Sequence, residues 1–342
     1  MEKIMIPPLD SNAAEVIKNN WAKMDKPLHS LGKLEEMVEK YAAMTGTALP
    51  DKIKSAMLLM CGDHGIAKYG VSAYPQEVTM QMINGYMRET AGANVMARHA
   101  GADVFVIDAG TAFDLSAMPK VHQEKVAWGT EDFTQGPAMT VEQAEKALKV
   151  GMKVADECID KGYNLLVTAE MGIGNTTSTA AIVSAFLGLP PELTVGRGTG
   201  INDERMAIKR KVVADGLAKN QPRLGDAMDI LCKVGGYDHA GLAGMILAGA
   251  RRRIPTMVDG VNATAAALPA YGLEPACADY MLCSHLSAEI SHAKMLEVLR
   301  LTPIVDAGMR LGEGTGASLA IVILQMAINT YKELYKRGGM HA

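Results

Sequence analysis

The sequence is poor in the features that mark secreted, membrane-bound and nucleic-acid-binding proteins. It has only five cysteines, an odd number, with no CxxC pair and no metal-type spacing. The longest apolar stretch near the C-terminus is interrupted by Gln325, and it is shorter than the roughly 20 residues that a membrane-spanning helix needs. The net charge is −4, which argues against a basic nucleic-acid surface. Since the N-terminus is polar and shows no signal-peptide pattern, we expect a cytoplasmic protein that binds neither membrane nor nucleic acid.

Aromatic residues are also scarce, and methionine takes much of their place. Only 5% of the residues are aromatic, and 24 methionines stand against four phenylalanines. Methionine is soft and unbranched, so most of these side chains are expected to fill the core. An alternative for a few of them is to line a pocket for a flat apolar ligand.

The chain contains six short apolar runs that each end in small or polar residues. Continuous apolar runs are typical of strands in a parallel sheet, because helices cover both of its faces. Ligands bind outside the carboxyl ends of such strands, so the six clusters predict one shared site. The clusters of Gly, Ser, Asp, Glu and His lie at residues 61–65, 108–110, 169–177, 259–260, 284–289 and 310–316.

Alternation of strands and helices predicts an α/β fold: a mostly parallel, Rossmann-like sheet with helices on both faces. Residues 1–50 have helical spacing, with Asp10 as a candidate N-cap. We expect 1–50 and 318–342 to form a small helical domain beside a large catalytic domain over 51–317. Expected strands are 56–61, 104–108, 165–169, 256–258, 280–283 and 304–306. Expected later helices are 75–96, 141–159, 176–187, 203–217, 239–251, 288–299 and 315–335.

Two glycine-rich loops lead from strands or turns into helices. Residues 171–177 read Met-Gly-Ile-Gly-Asn-Thr-Thr, a pattern that lets backbone N–H groups at a helix start meet an anion such as phosphate. The loop is neither a Walker loop nor GxGxxG, and a plain Thr-capped turn is the alternative. The second loop, 196–200, is followed by Lys209, which could reach a phosphate.

Glu313 lies between glycines at the start of a predicted helix. The helix N-terminus favours its ionised form, so Glu313 is a candidate general base, with simple capping as an equal alternative. His64, His285 and His292 could form a metal site on paper. No HxH or HxxxH spacing supports that site, so we expect hydrogen-bonding histidines and no metal.

Taken in order, the motifs resemble one known family over nearly the whole chain. They occupy residues 62–65, 70–79, 136–140, 170–177, 196–200, 284–289 and 311–316. The sequence resembles the nicotinate-nucleotide–dimethylbenzimidazole phosphoribosyltransferases of cobamide lower-ligand activation. The resemblance implies transfer of 5-phosphoribosyl from nicotinate mononucleotide to a lower-ligand base, with inversion and loss of nicotinate. The pyridinium of the donor is already a good leaving group, so no cofactor is expected.

The resemblance also implies roles for individual residues. Glu313 would be the general base, and Glu170 would assist beside the ribose. Tyr74 and Gln81 would line the pocket for the aromatic base. The remaining substrate-binding residues, mostly for the phosphate, would be Gly172, Gly174, Asn175, Thr176, Gly198, Lys209, Asp259, Ser287, Gly312 and Gly314.

Several stretches depart from the usual pattern of the family, among them 28–29, 237–239, 261–264 and 289–292. These departures predict an acceptor pocket that takes phenol or p-cresol as well as benzimidazoles. An alternative is the partner subunit of a two-chain phenol-activating enzyme, although Glu170 and Glu313 are both present. We expect a homodimer or a heterodimer with a related chain. A nicotinamide-dependent oxidoreductase is disfavoured, because no GxGxxG motif with a following acidic residue is found.

Overall fold

A seven-stranded sheet forms the centre of the computed structural model, which describes residues 4–46 and 52–338. All neighbouring strands are parallel, in the order β3-β2-β1-β4-β5-β6-β7. The chain runs from β1 outward to β3 and then returns to β4 on the other side of β1. The strand order thus reverses between β1 and β4, and such a reversal leaves a crevice at the carboxyl ends of the two strands. The strands are β1 Ser55–Gly62, β2 Ala102–Gly110, β3 Val121–Gln123, β4 Leu165–Met171, β5 Thr256–Val258, β6 Met281–His285 and β7 Pro303–Val305.

Helices cover both faces of the sheet. On one face α9 packs on β1, β2, β4 and on α5, and on the other α12 packs on β5, β6 and α4. The predicted α/β class with a parallel sheet between helical layers is confirmed. The helices are α1 Ser11–Lys23, α2 Lys33–Thr45, α3 Val78–Met87, α4 Gly92–Ala100, α5 Val141–Asp160, α6 Asn175–Leu187, α7 Asp203–Asn220, α8 Ala227–Val234, α9 Tyr237–Arg251, α10 Val261–Leu273, α11 His292–Leu299 and α12 Thr315–Gly338.

The N-terminal helices pack against the C-terminal helix. Both α1 and α2 contact α12, and Trp21 meets Tyr331 edge-on with ring centroids 5.0 Å apart. The Asn20 amide donates to the Tyr331 hydroxyl at 2.7 Å. Because α12 also lies on the sheet, the division into a small helical and a large domain stays a prediction. Residues 1–3, 47–51 and 339–342 of those predicted domains lie outside the described residues.

Local sequence signals fix several helix starts. Asp10 accepts a hydrogen bond from the backbone N–H of Ala13, and Thr140 and Gln143 form a reciprocal capping box. The single helix expected over 75–96 is instead two helices, because the chain turns at Glu89, which has a left-handed φ of 60°. Within the described residues, no helix is long and apolar enough to cross a membrane.

Two helices, α8 and α10, were not predicted from the sequence. Residues 262–270 of α10 are buried on every side, so this helix shows no polar face and no amphipathic period. It also contains Pro269 in its interior, which normally indicates the end of a helix. Because α10 is buried on all sides, its sequence did not predict a helix directly after the cluster at residues 259–260.

Candidate active site

A cavity of about 720 Å³ opens at the carboxyl end of the sheet. Its walls come from the segments after β4, β5, β6 and β7, together with the loop before α3. Four of the six clusters seen in the sequence thus contribute to one cavity. Most of the predicted site residues line it, namely Tyr74, Glu170, Gly172, Gly174, Asn175, Thr176, Gly198, Ser287, Gly312 and Glu313.

Two glutamates line the cavity. Glu170 is the second-last residue of strand β4, and Glu313 precedes α12. Their segments approach closely at Gly312, where an added Cβ would lie 2.6 Å from Glu170 Oε1. The Asn175 amide donates to Glu170 Oε2, which fixes one side of this carboxyl group.

Both glutamates have raised pKa values. Burial raises the pKa of Glu170 to about 8; the amide of Asn262 opposes this shift, while the negative charges of Asp238 and Glu313 add to it. Burial also raises the pKa of Glu313, the Tyr86 hydroxyl lowers it and the charge of Asp259 raises it. Glu170 is therefore largely protonated at neutral pH.

The turn that carries Glu313 is held by Asp259. Gly312, Glu313 and Gly314 have φ values of 83°, 57° and 76°, a left-handed run in which only Glu313 has a side chain. The carboxylate of Asp259 accepts the backbone N–H groups of Gly314 at 3.0 Å and Ala317 at 2.9 Å. Asp259 and Gly314 are not among the residues that line the cavity. Asp259 therefore contributes to the site by holding the backbone of the turn that carries Glu313.

The opposite part of the cavity carries cationic and hydroxyl groups. The Lys209 ammonium lies behind the wall, 1% exposed, and donates to Thr176 Oγ1 at 2.8 Å and to the Gly196 carbonyl at 3.1 Å. Burial lowers the pKa of Lys209 to about 8, although the negative charge of Glu289 opposes the shift. Arg310 lines the cavity and donates to the Gly198 carbonyl at 3.2 Å. This region can hold an anion.

Glu289 is a site residue that the sequence did not single out. Its Oε1 accepts the Gly198 N–H at 3.0 Å, so a carboxylate already contacts the loop predicted to hold phosphate. A phosphate at this amide must displace or share that contact. Glu289 is the last residue of the cluster at 284–289. Its position after a strand end is the feature from which it could have been predicted as a site residue.

An apolar wall faces the mouth of the cavity. Tyr74 is 54% exposed at this edge, and Val78, Met82 and Met171 line the wall. Gln81 lies on the exposed side of α3 and is not among the lining residues. Val78 and Met82 are four residues apart on α3, so helical spacing from Tyr74 could have found them.

The histidines considered as metal ligands have separate hydrogen-bond partners. His64 contacts Asp238 and Ser178, and His285 Nδ1 contacts the Ser284 hydroxyl. His292 contacts Thr264 and the backbone N–H of residue 287. Another group, His64, Asp238 and His239, has possible ligand atoms within 4.8 Å of one another. Its hydrogen bonds are described below.

Fold and site together define a parallel α/β protein whose cavity carries two glutamates and, near Thr176 and Gly198, cationic and hydroxyl groups. A family model described as phosphoribosyltransferase matches residues 6–338. The chain is 46% identical over 329 residues to the nicotinate-nucleotide–dimethylbenzimidazole phosphoribosyltransferase of Chloroflexus aggregans, covering 96% of this chain and 93% of that one. It is 46% identical over 324 residues to the same-named protein of Geobacter sulfurreducens, covering 94% and 92%.

A solved structure agrees with these sequence matches. The crystal structure of CobT from Thermus thermophilus has a TM-score of 0.90 and 40% identity, and the match covers 94% of this chain and 96% of that one. The chain belongs to the nicotinate-nucleotide–dimethylbenzimidazole phosphoribosyltransferase family. The resemblance stated from the motifs is confirmed.

Proposed function

We propose that this protein transfers the 5-phosphoribosyl group of nicotinate mononucleotide to 5,6-dimethylbenzimidazole or a related lower-ligand base. The observation that carries the proposal is the pair Glu170 and Glu313 in one cavity with an anion-binding wall. Family membership supports the same reaction. The products are an α-ribosyl phosphate of the base and nicotinate.

The site suggests how the atoms move. Glu313, as carboxylate, takes the N–H proton of the acceptor base while the base nitrogen bonds to the anomeric carbon. The bond from that carbon to the pyridinium nitrogen breaks, and its electron pair stays on the nitrogen of the leaving nicotinate. Glu170, largely protonated, would hydrogen-bond the ribose. Holding both reactants in line supplies most of the remaining rate enhancement.

The walls suit the two substrates. The phosphate of the donor is assigned to the region of Thr176, Gly198 and Ser287, with the Lys209 charge behind it. The aromatic base is assigned to the apolar wall of Val78 and Met82, next to Tyr74. A flat ring removes apolar surface from water there, which stabilises binding.

Replacing Glu313 tests the proposal directly. Glu313→Gln keeps the shape of the side chain and removes the base, so turnover should fall roughly 10²–10⁴-fold, with donor binding largely kept. The assay follows nicotinate release and ribosyl phosphate formation by mass spectrometry. Glu15→Gln, an exposed carboxyl on α1, is the matched control. Near-normal turnover of Glu313→Gln would remove the base assignment.

We also propose a cytoplasmic location and a dimer, either of two identical chains or with a related chain. Support for a reducing compartment comes from the five cysteines, which are all buried free thiols. Light scattering of the purified chain, alone and mixed with a related chain, tests the assembly. Phenol as an additional acceptor stays a prediction, which competition between phenol and dimethylbenzimidazole would decide.

A further inference from the structure

A row of buried polar side chains runs behind Glu170 and links three helices. His239 Nε2 on α9 lies 2.9 Å from the hydroxyl oxygen of Thr179 on α6. That hydroxyl donates to Asn262 Oδ1 on α10 at 2.9 Å. Asn262 lines the same cavity as Glu170, and its side-chain amide lowers the pKa of the Glu170 carboxyl group. The row therefore ends on one of the two glutamates of the site.

The hydrogen atoms available fix the direction of these bonds. Thr179 has one hydroxyl hydrogen and gives it to Asn262, so its oxygen accepts from the Nε2–H of His239. With Oδ1 turned toward Thr179, the NH2 group is the end of Asn262 that faces Glu170. Glu170 can accept this NH2 group in either protonation state, through a carboxylate oxygen or through the carbonyl oxygen of the protonated acid.

His239 is itself held by a buried carboxylate. Its backbone N–H donates to Asp238 Oδ1 at 2.8 Å, and its ring Nδ1 lies 3.0 Å from the same oxygen without making a hydrogen bond. His64 Nε2 lies 3.2 Å from Asp238 Oδ2. His64 Nδ1 contacts the Ser178 hydroxyl at 2.9 Å. Burial raises the pKa of Asp238, but the combined effect of His239 and His64 is larger and lowers it. The pKa of Asp238 is therefore well below its usual range. An ionised Asp238 thus anchors the far end of the row.

We propose that Thr179 and His239 are positioning residues that orient the Asn262 amide, so that it holds the Glu170 carboxyl group at the cavity. The proposal rests on the proposed phosphoribosyl transfer and adds how one of its carboxyl groups is fixed. Asn175 binds the same carboxyl group from α6, so two amides on different helices hold it from two directions. Loss of the Asn262 amide leaves the carboxyl group held from one direction only, by Asn175.

Removal of the Thr179 hydroxyl is the first test. Thr179→Val should lower kcat/KM for nicotinate mononucleotide and dimethylbenzimidazole roughly tenfold, the upper range for one lost neutral hydrogen bond. Thr179→Ser, which keeps the hydroxyl, should restore activity. The matched control is Thr256→Val, since the Thr256 hydroxyl is buried and has no hydrogen-bond partner among the described residues. Its activity should equal that of the wild type.

A double-mutant cycle separates positioning from general loss of stability. If Thr179 acts through Asn262, Thr179→Val should have less than a twofold effect in an Asn262→Ala background. Fully additive effects would overturn the proposal. Should Thr179→Val not fold, Thr179→Ala takes its place in the cycle, with thermal melts recorded for every variant.

A titration of Glu170 gives a test that does not need turnover. The Asn262 amide favours the charged carboxylate, so Asn262→Ala and Thr179→Val should both move the ¹³C titration of the Glu170 carboxyl carbon to higher pH. Other ionisable groups that interact with Glu170, namely Glu313, Asp238, Asp259, Tyr86 and Cys61, are unchanged in these variants. An unchanged titration would contradict the inference.

Wild-type activity and these variant comparisons answer different questions. Absence of ribosyl phosphate formation by the wild type would remove the proposed function, whereas the Glu170 titration would still decide the positioning. Stoichiometric metal held by His64, Asp238 and His239 in the purified protein would replace the hydrogen-bonded row and overturn the inference.

Discussion

Asp259→Asn tests whether the turn that carries Glu313 depends on a carboxylate that does not face the cavity. Asp259 accepts two backbone N–H groups, from Gly314 and Ala317, with its two carboxylate oxygens. Asparagine has the same shape but only one oxygen, so its NH2 group must face one of these N–H donors. The substitution therefore removes one charge-assisted hydrogen bond and replaces it with a repulsive contact.

The size of the effect follows from the bond that is lost. A hydrogen bond to a charged group contributes roughly 1.5–3 kcal/mol. The turn is easily shifted, because Glu313 has a left-handed φ of 57°. This conformation costs a non-glycine residue about 1–2 kcal/mol. If the loss shifts the turn away from its active geometry, kcat falls roughly ten- to hundredfold, at about 1.36 kcal/mol per factor of ten.

The pH profile distinguishes this account from simple destabilisation. The negative charge of Asp259 raises the pKa of Glu313, so a neutral asparagine side chain in its place should lower that pKa. The acidic limb of kcat should then move to lower pH, even as the maximum falls. Nicotinate release would be measured across the acidic limb and the maximum of the pH profile. Asp215→Asn, which changes an exposed residue on α7, is the control. A kcat within twofold of the wild type, or an acidic limb that moves upward, would refute the reasoning.

Two further predictions concern Lys209 and Glu170. Lys209→Ala should raise KM for nicotinate mononucleotide, because it removes a charged hydrogen bond that contributes roughly 1.5–3 kcal/mol. KM for the dephosphorylated nucleoside should stay almost unchanged. An equal rise in KM for both donors would mean that Lys209 has a structural role. Burial raises the folded-state pKa of Glu170 to about 8, above its ordinary value of 4.5, so the wild type loses stability as pH rises between these values. At a pH above the folded-state pKa of about 8, Glu170→Gln should therefore melt at a higher temperature than the wild type. Below pH 4.5 the two proteins should differ little. A lower melting temperature of Glu170→Gln at alkaline pH would contradict the assigned burial.

The sheet could be predicted because its strands carry their signal locally. The strand at 256–258 was predicted with its observed bounds, and β1 and β4 were found to within two residues at each end. Fully buried parallel strands appear as continuous apolar runs, and their ends are marked by the polar residues that follow. The same ends predicted where the cavity would lie.

Residues that act across long sequence separations could not be assigned in this way. Asp259 was grouped with substrate-binding residues, but its carboxylate contacts the backbone of residues 314 and 317, more than 50 positions away. Gln81 was placed beside Tyr74 because both were assigned to one aromatic-base pocket, yet the orientation of α3 turns Val78 and Met82 to the cavity instead. Such contacts depend on how elements dock, and spacing along the chain does not contain that information.

The environments of the two glutamates also decide which of them can act as the base. Neighbouring carboxyl groups in a buried site oppose each other's ionisation, so one tends to hold its proton. Glu170 lies at the end of a fully buried strand, and burial and three negative neighbours hold its pKa at about 8. A protonated Glu170 places no charge against Glu313. The pKa of Glu313 is then raised by burial and by the charge of Asp259, and lowered by the Tyr86 hydroxyl. The base role proposed for Glu313 therefore depends on a neutral Glu170. We expect the proposed roles of both residues to be lost together when Glu170 ionises at high pH.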